Sequence, residues 1–304
     1  MSDFFAFGEI LWDVFPSGKH AGGAPFNVAA HLAQIGASSA LISSIGRDEL
    51  GDEILAVARH KNVNVDFVTR ARIGMPTGTA IVTIDQRGNA AYELVQPVAW
   101  DEITVSPEAL TAVSQARALI YGSLAGRSPY NLLQLDQLLQ VKGPVKFFDV
   151  NLRRPFADPA LVMRLAKQAD VLKLNDEEAG QLAAYVRTGT MAHDTARDER
   201  AIARACETLA SATNVTRICV TAGDKGAAFW DSGNLTIAPA PHVEVKDTVG
   251  AGDAFMAGLM VGLTKGADTR KMLEDAARLG AFVASHDGAT PALPAEITQP
   301  IRQG

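Results

Sequence analysis

Short apolar runs recur along the chain at Leu41 to Ile45, Leu119 to Tyr121, Val145 to Val150, Val171 to Leu174 and Ile218 to Thr221, each too short for a helix and apolar at consecutive positions. A strand that alternates apolar and polar residues can leave one face in water, but one that is apolar throughout must be covered on both faces. Between these runs lie stretches of helical period. Phe26 to Ile35 sets Val28, Leu32 and Ile35 on one stripe, and Pro129 to Leu139 does the same with Leu132, Leu135 and Leu139. This alternation predicts a doubly wound α/β core, a mostly parallel sheet with helices on both faces. One stretch breaks it: Thr77 to Asp85, a turn at Gly88-Asn89 and Ala90 to Val95 read as a hairpin with no helix between. An ordinary edge hairpin is the plain reading. With no repeat and no linker, residues 1–304 read as a single domain, and the polar stretch Thr188 to Arg200 is the nearest thing to a mobile loop.

Composition removes several classes of function. The 304 residues, 47% hydrophobic and 20% charged, are ample for a large core. Twenty-eight Lys and Arg against 34 Asp and Glu give a net charge of −6 with no basic run, so nucleic acid is not an expected partner. Cys206 and Cys219 are too few for a disulfide framework and point to a reducing compartment. The first residues lack a signal-peptide pattern, and the apolar stretch Ala254 to Leu263 falls well short of the roughly 18 residues a membrane span needs. The expectation is a cytoplasmic protein with no membrane partner.

The chemistry-bearing residues gather in Gly-rich turns. In Asp247-Thr248-Val249-Gly250-Ala251-Gly252-Asp253-Ala254-Phe255 a polar turn feeds an apolar helix, where free first-turn amides and absent side chains make an anion hole. Asp253 would sit beside a phosphoryl group held there, placed to take a proton from an attacking hydroxyl; alternatively it only caps its helix. A second turn, Gly22-Gly23-Ala24-Pro25-Phe26-Asn27, opens another helix, and Asn27 can both donate to and accept from a polyol, or simply cap. In Lys173-Leu174-Asn175-Asp176-Glu177-Glu178, Asn175 and Glu178 lie one helical turn apart and could share a water-bridged Mg²⁺, although carboxylates at a helix start also complement its dipole. Thr221-Ala222-Gly223-Asp224-Lys225-Gly226 follows a strand and reads either as a nucleotide loop or as a hairpin turn.

Other chemistries find less support. Gly250-x-Gly252 lacks the third glycine of a dinucleotide fingerprint, Phe255 standing in its place, and no P-loop or G-x-S-x-G elbow occurs. His20, His31, His60, His193, His242 and His286 are scattered without ligand spacing.

Taken together, the four motifs resemble the PfkB family of carbohydrate kinases, with the ribokinase-like fold, over essentially the whole chain. The resemblance implies ATP as phosphoryl donor with Mg²⁺, Asp253 as catalytic base, and the amides of Gly250, Ala251, Gly252 and Asp253 as the anion hole. It implies that Asp13, Gly23, Asn27 and Arg153 bind the sugar, that Asn175 and Glu178 organise Mg²⁺ and phosphate through water, and that Thr221, Gly223 and Gly226 line the nucleotide. Asp247 and the Val249 carbonyl match a monovalent-cation site, with potassium as its candidate ion, near Ala284 to Gly288. The hairpin becomes part of a β lid, formed by about 11–16 and 77–98, that closes over the sugar. Gly8-Glu9 on the first strand, the Gly-Gly-Ala-Pro turn and Asp149-x-Asn151-x-Arg153 look most like bacterial fructokinases, although Phe26 departs from the small residue often found there. A 2-keto-3-deoxygluconate kinase is the rival, since Arg153 could serve a hydroxyl or a carboxylate; an inactive sugar-binding protein is the reading from another class. The hairpin face, mixing Thr79, Ile81 and Thr83 with Ala80, Val82 and Ile84, leaves a monomer and a lid-paired homodimer equally open.

Overall fold

The computed structural model describes residues 2–16, 18–84, 90–192, 195, 196 and 198–303, with the side chains of 82–92 and 303 outside that description. In chain order the elements are β1 (Phe4–Phe7), β2 (Leu11–Phe15), β3 (Gly18–Gly22), α1 (Ala24–Ile35), β4 (Ser39–Ile45), α2 (Glu49–His60), β5 (Val68–Arg70), β6 (Gly78–Ile84) and β7 (Ala90–Leu94). There follow α3 (Pro107–Ser114), β8 (Ala118–Gly122), α4 (Pro129–Gln140), β9 (Val145–Asp149), α5 (Pro159–Ala166), β10 (Val171–Asn175), α6 (Asp176–Thr188) and α7 (Glu199–Thr213). The last are β11 (Arg217–Thr221), β12 (Ala227–Asp231), β13 (Asn234–Ala238), α8 (Ala251–Lys265), α9 (Thr269–Ala284) and α10 (Ala295–Gln303).

Nine strands form one sheet in the order β13-β12-β11-β10-β9-β8-β1-β4-β5. From β11 to β5 every neighbouring pair is parallel, and β12 and β13 fold back antiparallel at one edge. Consecutive apolar residues serve opposite faces, as the all-apolar runs require. Phe5, Phe7, Leu119, Tyr121, Phe148 and Leu172 pack against α3 to α7 through Val113, Leu135, Leu165, Leu182 and Leu209. Their neighbours Phe4, Ala6, Ile120, Phe147 and Val171 pack against α1, α2 and α8 to α10 through Leu32, Ile54, Leu259, Leu279 and Ile301. Truncating one of the buried phenylalanines to alanine would cost about 3–5 kcal/mol.

A second, four-stranded sheet has the order β3-β2-β6-β7. It contains the expected hairpin, β6 pairing antiparallel with β7, and the expected segment 11–16 as β2, which joins β6 in parallel; what it adds is β3, which forms one edge. Asp85 and the turn at Gly88-Asn89 lie outside the described residues, as do the side chains of Val82, Thr83 and Ile84.

The stretch Thr188 to Arg200 departs from the expected mobile loop. Thr188 still belongs to α6 and Glu199 opens α7. Between them Ala196 is buried and its N–H donates to the Asp176 carbonyl at 2.9 Å, so the connection is docked there, while His193, Asp194 and Arg197 lie outside the described residues. No described helix is long and apolar enough to cross a membrane.

Candidate active site

The carboxyl ends of β1, β9, β10 and β11 open on one side of the large sheet, where the strand order reverses at β1 and where open α/β sheets hold their ligands. The helices α1 and α8 start there too. Gly250, at the N-cap of α8, has φ 78, and a side chain on it would place its Cβ 2.6 Å from the Ala289 Cα, so the tight turn against 288–290 needs glycine. The helix begins at Ala251, earlier than the apolar run at Ala254 suggests, which makes Asp253 a first-turn residue. Asp253 does not cap: α8 has no side-chain cap bond, and its Oδ2 instead accepts from Asn27 Nδ2 at 2.8 Å. The Ala251 N–H turns back to the Thr248 carbonyl at 3.3 Å, while Gly252 and Asp253 lie too early in the helix for a helical acceptor.

Burial pushes the Asp253 carboxyl up to about 6; the Asn27 bond, Lys173 and Arg153 oppose the rise, and Asp149 adds to it. Lys173 is the buried cation of the site. It is the register partner of Asp149 on the adjacent strand, and its Nζ lies 3.1 and 2.9 Å from the two Asp149 oxygens. Burial works to lower the Lys173 pKa, but Asp149, Glu178 and Asp253 outweigh it and hold the ammonium above its ordinary value. A Cβ on Gly252 would come 3.2 Å from this Nζ, so the lysine stands directly under the glycine turn.

Three further groups complete the acceptor side. Glu9 follows β1 rather than lying on it, is 3% exposed, and its Oε2 has no hydrogen-bond partner among the described residues. Burial raises its pKa to about 7, with Asp253 adding to the rise and Arg153 opposing it. Asp13 on β2 sits where a side chain on Gly22 would have to go; burial raises it to about 6, Arg153 opposing and Asp253 adding. Arg153 is exposed beyond β9, its Nη1 on the Leu152 carbonyl at 3.3 Å, and its charge is felt at Glu9, Asp13 and Asp253 alike. Gly23 has φ 107, and its absent Cβ would lie 2.5 Å from the Glu9 carbonyl oxygen, so the close approach here is to the chain itself.

On the nucleotide side, Asn175 and Glu178 form a capping box: Asn175 Oδ1 accepts from the Glu178 N–H at 2.7 Å and Glu178 Oε2 from the Asn175 N–H at 2.9 Å. Glu178 Oε1 also accepts from the Leu152 N–H at 2.7 Å. A carboxylate already committed at both oxygens suits Mg²⁺ held through water better than direct ligation, and among the described residues no three His, Cys, Asp or Glu side chains converge as a metal cage. Thr221 ends β11 with its hydroxyl donating to the Leu174 carbonyl at 3.3 Å. Gly223 has open space where a side chain would be, whereas a Cβ on Gly226 would lie 2.7 Å from the Ala240 nitrogen. The turn joins antiparallel β11 and β12, so it is a hairpin as well as a candidate nucleotide loop. Asp247 braces the adjoining loops, accepting from the Val249 N–H at 2.9 Å and the Gly288 N–H at 3.2 Å. The Val249 region thus meets 284–288, where the Lys246 and Asp247 N–H groups donate to the Ala284 carbonyl. Those loops supply carbonyl and carboxylate oxygens, the donor type a potassium ion takes.

Asp149, Lys173 and Glu9 carry no assigned role in the sequence reading, yet they set the electrostatics. Their signal is a charge within an otherwise apolar run, since a buried Lys173 in Val171-Leu172-Lys173-Leu174 needs a partner from a neighbouring strand. The motif residues do not line the cleft of about 570 Å³ between Arg70, Met75, Asp101 and Tyr130, which lies beside the root of the small sheet.

A model described as the pfkB family carbohydrate kinase matches residues 3–296. Fructokinase-2 of Zea mays is 30% identical, over 96% of this chain and 91% of its own. Among solved structures, a fructokinase double mutant from Vibrio cholerae O395, in a fructose, ADP and potassium ion bound form, is 25% identical with a TM-score of 0.78, covering 99% of this chain and 98% of that one. A 2-dehydro-3-deoxygluconokinase from Thermotoga maritima superposes with a TM-score of 0.84 over 100% of both chains at 21% identity, a likeness of fold alone.

Proposed function

Since the chain belongs to the pfkB family of carbohydrate kinases, with the ribokinase-like fold its motifs imply, we propose that it transfers the γ-phosphoryl group of ATP to the primary hydroxyl at C6 of D-fructose. The observation that carries the mechanism is Asp253: a first-turn residue of α8, held by Asn27 at 2.8 Å, with its pKa raised to about 6. It takes the hydroxyl proton as the sugar oxygen bonds to the γ-phosphorus and the bond to the leaving ADP oxygen breaks. Asn27 fixes the direction of the carboxylate, and the Gly252 and Asp253 amides, with Lys173 beneath, stabilise charge on the transferring group. Magnesium, when bound, supplies neutralising charge on the phosphates, with Asn175 and Glu178 organising it through water. Gly23 and Asp13 face the sugar with Arg153, Thr221, Gly223 and Gly226 border the nucleotide, and Asp247 with the Val249 carbonyl holds potassium. The small sheet closes over the sugar and keeps water from competing as acceptor. The site works in the cytoplasm.

The charge balance favours a neutral ketose over a sugar acid. Glu9, Asp13 and Asp253 face Arg153, while Lys173 beneath the glycine turn is already paired with Asp149, and each of the three carboxyls is pushed upward by burial and negative neighbours, a field that repels a substrate carboxylate. The Zea mays relative and the Vibrio cholerae structure, both fructokinases, support the same choice. A coupled ADP-release assay with Mg-ATP over fructose, ribose, glucose, tagatose and 2-keto-3-deoxygluconate, with and without potassium, tests it. A dominant fructose rate supports the reading. Preference for the keto-acid would make Arg153 a carboxylate partner and overturn the charge argument.

A further inference from the structure

Arg127, in the turn after β8, belongs to none of the motifs, yet its side chain is only 4% exposed. A buried guanidinium needs partners that match its planar fork. Nε and Nη2 donate to the two oxygens of Asp101 at 2.8 and 2.9 Å, and Nη2 also donates to the Val95 carbonyl at 3.2 Å. The guanidinium carbon lies 3.8 Å from the centre of the Trp100 ring and 4.8 Å from that of Phe156.

Each partner belongs to a different part of the acceptor side. Val95 directly follows β7 and its N–H donates to the Thr79 carbonyl, so it is the return leg of the small sheet. Trp100 fills the space that a side chain on Gly78, the first residue of β6, would need. The outgoing leg is tied at the same place, the Ala99 N–H donating to the Pro76 carbonyl at 2.8 Å. Phe156 closes the turn that carries Arg153, its N–H donating to the Arg153 carbonyl at 2.7 Å. Both roots of the small sheet and the Arg153 turn therefore meet at one guanidinium.

We propose that Arg127 is a positioning residue for the acceptor sugar: it fixes the root of the small sheet against the Arg153 turn, and so sets the gap across which Asp13 and Arg153 meet the substrate. Asp101 alone satisfies the charge of Arg127. Its contacts with Val95 and Phe156 are what couple the two sides of the pocket, and a lysine could make only part of them. The inference rests on the sugar-kinase reading but not on which sugar is preferred.

Two variants test it in the full-length protein, using whichever acceptor the wild type turns over best. The double variant Arg127→Met with Asp101→Asn removes the fork without stranding a buried charge, and Phe156→Leu keeps the ion pair and the Val95 bond while removing the ring above the Arg153 turn. The expected result is a rise in sugar KM of about tenfold in the first and about threefold in the second, with ATP KM within about twofold of wild type. A sugar KM that stays within about twofold in the folded variants, or equal rises in both KM values, would overturn the proposal. If the double variant fails to fold, Phe156→Leu decides alone. A wrong choice of sugar shows in the wild-type panel, whereas a wrong role for Arg127 shows only in the ratio of the two KM values.

Discussion

Lys173 and Asp149 face each other as register partners on adjacent parallel strands, with Nζ 2.9 Å from Oδ2 and both side chains buried. Removing one partner strands a charge that burial penalises, so Lys173→Met should cost about 3–5 kcal/mol of stability. Replacing both, Lys173→Met with Asp149→Leu, should recover most of it. Activity should not return, because no cation then stands under the Gly252 turn, and kcat should stay down by about 10² to 10³. Thermal denaturation beside turnover separates the two effects, and a double variant with wild-type kcat would refute the electrostatic role of Lys173.

Asp253→Asn isolates the proton transfer. The amide can still meet Asn27 but cannot accept a proton, so kcat should fall by about 10² to 10⁴ while ATP binding persists. Stability should hold or rise. With a folded pKa of about 6 against an ordinary 3.8, the ionised carboxylate opposes folding by up to about 3 kcal/mol above pH 6. A variant that loses stability along with activity would mean that Asp253 is a structural residue.

The acidic limb of the pH profile follows from the same cluster. Asp253 and Asp13 are raised to about 6 and Glu9 to about 7, so each is ionised above its folded pKa and protonated below it. Asp253 must be ionised to act, hence kcat/KM should climb between pH 5 and 7 and then level off. These groups face one another, so the midpoint belongs to the set rather than to one residue. Their effect on folding runs the other way: ionising carboxylates whose folded pKa is raised imposes a penalty that grows from about pH 4 to pH 7, so the substrate-free protein should be more stable at pH 5 than these groups allow at pH 8. Activity flat down to pH 5 would show that none of the three titrates as a base in the reaction.

Elements covered on two faces were legible because coverage leaves an unbroken apolar run: β4 spans Ser39–Ile45 around the expected Leu41 to Ile45, and α4 ends one residue beyond the expected Leu139. β3 was not, since Gly18–Gly22 reads Gly-Lys-His-Ala-Gly, largely exposed, and is a strand only because β2 pairs with it. β5, three residues long, is likewise defined by β4 beside it. At the site, spacing identified the turns but not what each glycine is for. Gly23 and Gly226 are pressed on the chain's own backbone, Gly223 faces open space, and local sequence cannot tell a neighbour of 14 residues away from a ligand. The charge pair of Lys173 and Asp149 escaped for the same reason, being a relation between two strands.

That distinction between glycines yields the last test. Gly250 and Gly223 both hold positive φ, 78 and 56, so an alanine at either carries a backbone penalty of about 1–2 kcal/mol. Beyond that they differ. A Cβ at Gly250 would run into Ala289, forcing the α8 start away from 288–290 and dragging the Asp253 carboxylate and the first-turn amides with it. Gly250→Ala should therefore lose stability beyond the backbone penalty and lower kcat by about 10² or more, as misplacement of a reacting group by about 1 Å does. At Gly223 nothing lies within contact distance, so Gly223→Ala should cost only the backbone penalty and leave kcat within about twofold, while raising the KM for ATP if the nucleotide passes over that turn. Steady-state kinetics and thermal midpoints on the two variants, measured side by side, decide it. Equal stability losses with unchanged kcat in both would detach the Gly250 turn from phosphoryl transfer.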